Sequence, residues 1–242
     1  MLSLVLVLSF AALLLPQSQG HMSLQEPPAR NVLWRMGFSH LPPQPNDDYL
    51  ICAQRPRAPC PPCGDSAEVP RPRPYEGGGK YATGTIGRKY TMGQKIKVQV
   101  NVTKNHGGTL EFKLCPHNNP NKPVDQRCLD QYPLEVVGTR SRSVPLSAPH
   151  NAPYYSQEMV NVELKLPTGI SCDQCVLQMT NTAEEFKPKT VMFRNCADIA
   201  IEGNAKTSMA AGTPGAHPPL EIHTRGGFGA PLPEQKQHRF FD

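Results

Sequence analysis

Aromatic residues make up only 7% of this 242-residue chain, and Trp34 is its one tryptophan. No helical period links its apolar stretches, which argues against a helical bundle or a βαβ architecture. No Gly-x-Ser-x-Gly element occurs, so a serine hydrolase of that kind has no support. No Asp/Glu pair at glycosidase spacing can be picked out. After the first fifteen residues no hydrophobic run reaches membrane length, and the ending EQKQHRFFD has no apolar tail for a lipid anchor. The net charge of +5 is too modest to point to nucleic acid. Neither a nucleic-acid nor a membrane partner is expected.

What is present begins with a greasy leader. Leu2 to Leu15 is apolar except for Ser3 and Ser9, too short to span a bilayer and matching the core of a secretory signal peptide. Pro16 breaks it, and Ser18 and Gly20 are the small residues that a cut after Gly20 requires. Residues 1–20 are therefore expected to be a signal peptide, and the protein to be secreted. That cut makes His21 the new N-terminus, with two nitrogens to offer: the α-amine and ring Nδ1. An α-amine titrates near pH 8, so a metal displaces its proton at little cost. With a second imidazole the set becomes three nitrogens in a plane, which suits Cu(II). The second histidine is His106, in NVTKNHGGTLEF. Gly107 and Gly108 allow a sharp turn there and are expected to leave the ring uncovered.

Proline (27) and glycine (19) are abundant, which predicts many turns and few long helices. Residues 21–94 read as irregular. From Lys95 the pattern changes. KIKVQVNV alternates, with Ile96, Val98, Val100 and Val102 on one face, as a half-buried strand does. TLEFKLC and VNVELKL repeat the pattern, and CVLQM and FRNCADIAI are further strands. Strands separated by turn-rich loops predict an all-β antiparallel sandwich. Asn101-Val102-Thr103 is a glycosylation sequon with its asparagine on the polar face of the 95–102 strand. Residues 203–242 turn to Gly, Pro, Ala and polar types, and a disordered tail is expected.

The eight cysteines are Cys52, Cys60, Cys63, Cys115, Cys128, Cys172, Cys175 and Cys196. In a secreted chain an even count predicts disulfides. Zinc is the competing reading for the C-x-x-C pairs Cys60/Cys63 and Cys172/Cys175, but the pairs are far apart in sequence and the compartment is oxidising. Cys115 and Cys128 bracket a short Pro/Asn-rich loop, where a local disulfide is expected.

HMSLQEPPARNVLWRMGF, NVTKNHGGTLEFKLCP, GISCDQCVLQM and FRNCADIAI occur in that order over residues 21–202. Together they resemble the animal lytic polysaccharide monooxygenases, auxiliary-activity family fifteen, once called chitin-binding type-4 domains. The resemblance implies an immunoglobulin-like or fibronectin-III-like sandwich holding one copper ion in a histidine brace. The brace would be the amine and ring of His21 plus the ring of His106, with Phe193 at the axial position. It implies use of peroxide or oxygen with a reductant to abstract hydrogen at C1 or C4 of a β-1,4-linked sugar. The expected partners are an insoluble polysaccharide, chitin or for some members cellulose, and a small-molecule or protein electron donor; a monomer is expected. Relatives often have a small residue two places before the second histidine, and here it is Lys104, which is expected near the open face of the copper. Met179 stands where tryptophan is frequent, and the stretch from Met179 to Phe193 is short. The alternatives are a non-catalytic chitin-binding matrix protein and an extracellular copper-binding protein.

Overall fold

The computed structural model describes residues 21–53, 59–146, 157–183 and 191–203. The expected signal peptide and all of the expected tail but Gly203 lie outside the described residues. Among the described residues, ten strands form two sheets. The smaller sheet runs β1 (His21–Glu26), β4 (Lys95–Lys104), β8 (Glu158–Lys165) and β6 (Glu135–Val136), all antiparallel. The larger runs β2 (Ile51–Ala53), β10 (Val191–Glu202), β9 (Cys172–Ala183), β5 (Gly108–Pro116) and β7 (Ser143–Leu146). β3 (Arg88–Thr91) adds to the far end of β10 as the one parallel pair among the described residues.

The alternating segments become strands because alternation puts every second side chain on one face. In β4, Ile96, Val98, Val100 and Val102 are buried, Lys97 and Gln99 between them are exposed, and Asn101 is half-buried. They meet Leu110, Phe112 and Leu114 of β5, Leu177 and Met179 of β9, and Phe193, Ala197 and Ile199 of β10 in the main core. Each fully buried aliphatic contributes about 1.5–3 kcal/mol relative to exposure.

The outer face of the larger sheet carries a second core: Leu50, Cys63, Tyr75, Cys115, Val124, Leu129, Val176 and Cys196. Loops from the region read as irregular cover it, together with a short helix, α1 (Gln126–Gln131), capped by Asp125 through the Arg127 N–H at 3.0 Å. This covering is stapled by disulfides, as a layer with little regular hydrogen bonding requires. Cys63 bonds to Cys196 of β10 across 133 residues, Cys115 to Cys128, and Cys52 to Cys60. Cys172 and Cys175 bond to each other. All eight cysteines are thus oxidised, and the two C-x-x-C pairs have different fates: one closes on itself and the other splits between partners.

Asp65 sits in this layer at 4% exposure. Burial pushes its carboxyl up to about 6, against a weaker lowering by the Tyr75 N–H that bonds Oδ1 at 3.0 Å. Its Oδ2 has no hydrogen-bond partner among the described residues. Because the folded state holds the proton more tightly than the unfolded state, ionisation penalises folding as pH rises through the interval from 3.8 to about 6. Asp65→Asn keeps the oxygen that Tyr75 uses and removes the charge. We expect it to stabilise the protein by about 1–3 kcal/mol at about pH 7.5 and by nothing at about pH 3.5. Denaturant unfolding of both proteins at the two pH values checks this; an equal gain at both would assign the effect to something other than charge.

Candidate metal centre

β1 was not foreseen, yet it carries the first histidine. Met22 and Leu24 fill the core, while Ser23 and Gln25 on the other face are also buried. Register pairs Met22 with Val102 and Leu24 with Val100, and after a bulge His21 faces Lys104 at the end of β4. The strand is locked from the opposite sheet, since Asn195 Oδ1 on β10 accepts from the Leu24 N–H at 2.9 Å.

The link from β4 to β5 then holds His106, two residues beyond the position opposite His21. Gly107 and Gly108 both have positive φ, at 66° and 88°. A Cβ on Gly108 would lie 1.8 Å from the Thr182 carbonyl oxygen, so only glycine lets the chain come this close to β9. The Asn181 amide donates to the Gly107 and Thr109 carbonyls at 3.3 and 3.2 Å and fixes the turn. One expectation is corrected here. His106 is not uncovered by its glycines but 1% exposed, because the same close approach that glycine permits draws the turn against β9. The His21 side chain, in contrast, is 37% exposed.

Phe193 is fully buried in the main core. It pairs with Asn181, so it lies on the inner side of the same end of the sandwich as the His106 turn. Lys104 continues the inward face of β4 and is 5% exposed, not swung into solvent. Met179 is core, opposite Phe112. Asn101 lies on the outer face of the smaller sheet, beside exposed Met159, and its Oδ1 accepts from the Gln157 amide at 3.1 Å.

Two residues of the centre escaped the sequence reading. Asp48 Oδ2 stands 3.4 Å from His21 Nδ1 and accepts from the Thr103 hydroxyl at 2.8 Å. The Tyr49 ring meets the His21 ring edge-on, with centroids 5.1 Å apart at 81°. They arrive on a loop held in place by Arg35, which pairs with Asp47 and donates to Gln25, and by Asn31, which donates to the Asp47 carbonyl. The only local signal was an acidic pair, Asp47-Asp48, next to a tyrosine just before Cys52.

Among the described residues no three His, Cys, Asp or Glu side chains gather as a metal site. A brace does not need them: it takes two imidazoles and supplies the third nitrogen from the chain's own amine. Two histidines at one end of the sandwich, one starting a strand and partly open and the other fixed by a turn, suit a nitrogen-preferring copper ion.

Comparison with known proteins shows the family. The family model described as lytic polysaccharide mono-oxygenase, cellulose-degrading, matches residues 21–199. The lytic polysaccharide monooxygenase AA15 from Thermobia domestica in the Cu(I) state is 34% identical, with a TM-score of 0.67, covering 75% of this chain and 99% of its own. A lytic polysaccharide monooxygenase of Cellvibrio japonicus, important for efficient utilization of chitin, superposes at a TM-score of 0.50 over the same shares at 11% identity, which shows the fold alone. No curated protein matches the chain. With two largely antiparallel sheets and a family match over most of the chain, the protein belongs to the lytic polysaccharide mono-oxygenases, copper-dependent enzymes that cleave polysaccharide oxidatively with one copper ion.

Proposed function

We propose that the secreted protein begins at His21 and cleaves chitin, with residues 21–202 as the monooxygenase domain. Its copper is held by the amine and Nδ1 of His21 and the ring of His106. The observation that carries this reading is the β1–β4 register, which sets His21 opposite Lys104 and so beside the His106 turn. The copper supplies one-electron redox chemistry toward peroxide or oxygen.

The chain's own residues do the rest. The Tyr49 ring edge limits rotation of the His21 ring. Asn181 fixes the backbone on both sides of Gly108, and through it the His106 turn. Phe193 fills the inner side of this end with an apolar ring and keeps water from it. Lys104 places a cation beside the site from the core side. In the net reaction one substrate C–H becomes C–OH, one peroxide is consumed, and one water leaves. The hydroxylated carbon then expels the neighbouring sugar oxygen and the chain breaks.

The assay is mass spectrometry of soluble products from chitin and from cellulose, with copper-loaded protein, a reductant and peroxide. Oxidised chito-oligosaccharides that require the reductant are expected, and their masses and fragments distinguish C1 from C4 attack. Oxidised cello-oligosaccharides alone would replace chitin with cellulose, the polymer in the family description. Pull-down on chitin with no oxidised product would overturn the catalytic part of the proposal.

A further inference from the structure

Asp48 is a carboxylate that the brace does not require. Its backbone carbonyl accepts from the Met22 N–H at 2.8 Å, so it is tied to the strand that His21 begins. Its Oδ2 accepts from the Thr103 hydroxyl at 2.8 Å, which ties it to β4 as well. That same oxygen lies 3.4 Å from His21 Nδ1, the ring nitrogen a brace would use, and the side chain is only 26% exposed.

We infer that Asp48 is an electrostatic positioning residue for the copper: its fixed negative charge favours Cu(II) over Cu(I) and lowers the reduction potential of the centre. The inference rests on the reading of His21 as a ligand. An anion at a given distance attracts a doubly charged ion twice as strongly as a singly charged one, so it cannot stabilise both oxidation states equally. Partial burial weakens screening by salt.

The test uses mature protein starting at His21 and its Asp48→Asn variant. The amide keeps an oxygen for the Thr103 hydroxyl and loses only the charge. Cu(II) and Cu(I) affinities are measured separately by competition with chelators, and the potential by redox titration. Cu(II) affinity is expected to fall about tenfold and Cu(I) affinity about threefold, half as much in free energy, so the potential rises by about 30 mV, the one-electron equivalent of the threefold difference. The Cu(II) electron-spin spectrum should stay tetragonal and nitrogen-rich. An equal fall in both affinities would make Asp48 a structural prop. A changed spectrum would make it a ligand, and no change in any quantity would mean its charge is not felt; each of these overturns the inference. Failure of the brace itself is seen separately, as wild-type copper binding that does not depend on His106.

Discussion

His106→Ala is expected to remove the protein's copper. Losing the hydrogen-bond partner of a metal ligand typically costs 10–100-fold in affinity, so losing one of three ligands is expected to cost more than about 100-fold. Adding one residue ahead of His21 should do comparable damage by a different route, since an amide nitrogen no longer offers the basic lone pair of the α-amine. The two changes touch opposite ends of the brace, and only a brace links them. His106 is buried, so its truncation also affects packing, and affinity must be read beside the stability of the metal-free proteins. The separating measurement is the stabilisation that copper adds. A ligand present at about a thousand times its Kd adds about 4 kcal/mol to the folded state. Wild type should gain that amount on loading, and both altered proteins should gain almost none. A His106→Ala variant whose Cu(II) affinity lies within about threefold of wild type, a factor too small for ligand loss, would show that His106 is not a ligand.

Half of the proposed centre is legible in the sequence. His21 and His106 stand out because each has a local reason: an expected cleavage seam in one case, and a glycine turn between two alternating strands in the other. β4, β5 and β8 were legible for a similar reason, since alternation is a local signal that survives tertiary context, whereas β9 and β10 are buried on both faces and showed only as short candidate runs. β1 was hidden because its alternation, Met22 and Leu24 against Ser23 and Gln25, spans only four residues before Pro27-Pro28 and is flanked by sequence that reads as irregular. Asp48 and Tyr49 were hidden because they reach His21 only through that loop, and no period or spacing encodes the contact. The covering layer over the larger sheet was invisible as a layer. Its order comes from Cys63–Cys196 and from side chains reaching across more than a hundred residues, and its composition reads as irregular. The axial role implied for Phe193 and its plain packing role predict the same burial, so its position alone does not separate them.

Arg30→Met should destabilise the protein by about 3–5 kcal/mol, the usual cost of removing one partner from a buried ion pair. Arg30 and Asp198 are paired through both Asp198 oxygens, at 2.7 and 2.6 Å, with side-chain exposures of 2% and 1%. The remaining guanidinium nitrogen donates to the Tyr75 carbonyl at 2.7 Å. The Arg30 N–H donates to the Cys196 carbonyl at 2.8 Å, and Gln174 donates to Asp198 at 2.8 Å. A single side chain thus fastens the segment after β1 and the covering layer to the outer face of β10. Met has a similar volume, so the cavity it leaves is small. What remains is a buried carboxylate with Gln174 as its surviving side-chain donor, and that uncompensated charge is the source of the cost. The charge argument predicts a specific rescue. Arg30→Met combined with Asp198→Leu removes both charges and should recover most of the loss, because an apolar pair of similar volume is often neutral or better in such a place. Chemical denaturation of wild type, both single variants and the double variant, with the disulfides intact, gives the coupling energy directly. A single Arg30→Met variant losing less than about 1 kcal/mol, or a double variant no better than the sum of its parts, would mean that the pair is not what holds the covering layer to the sheet.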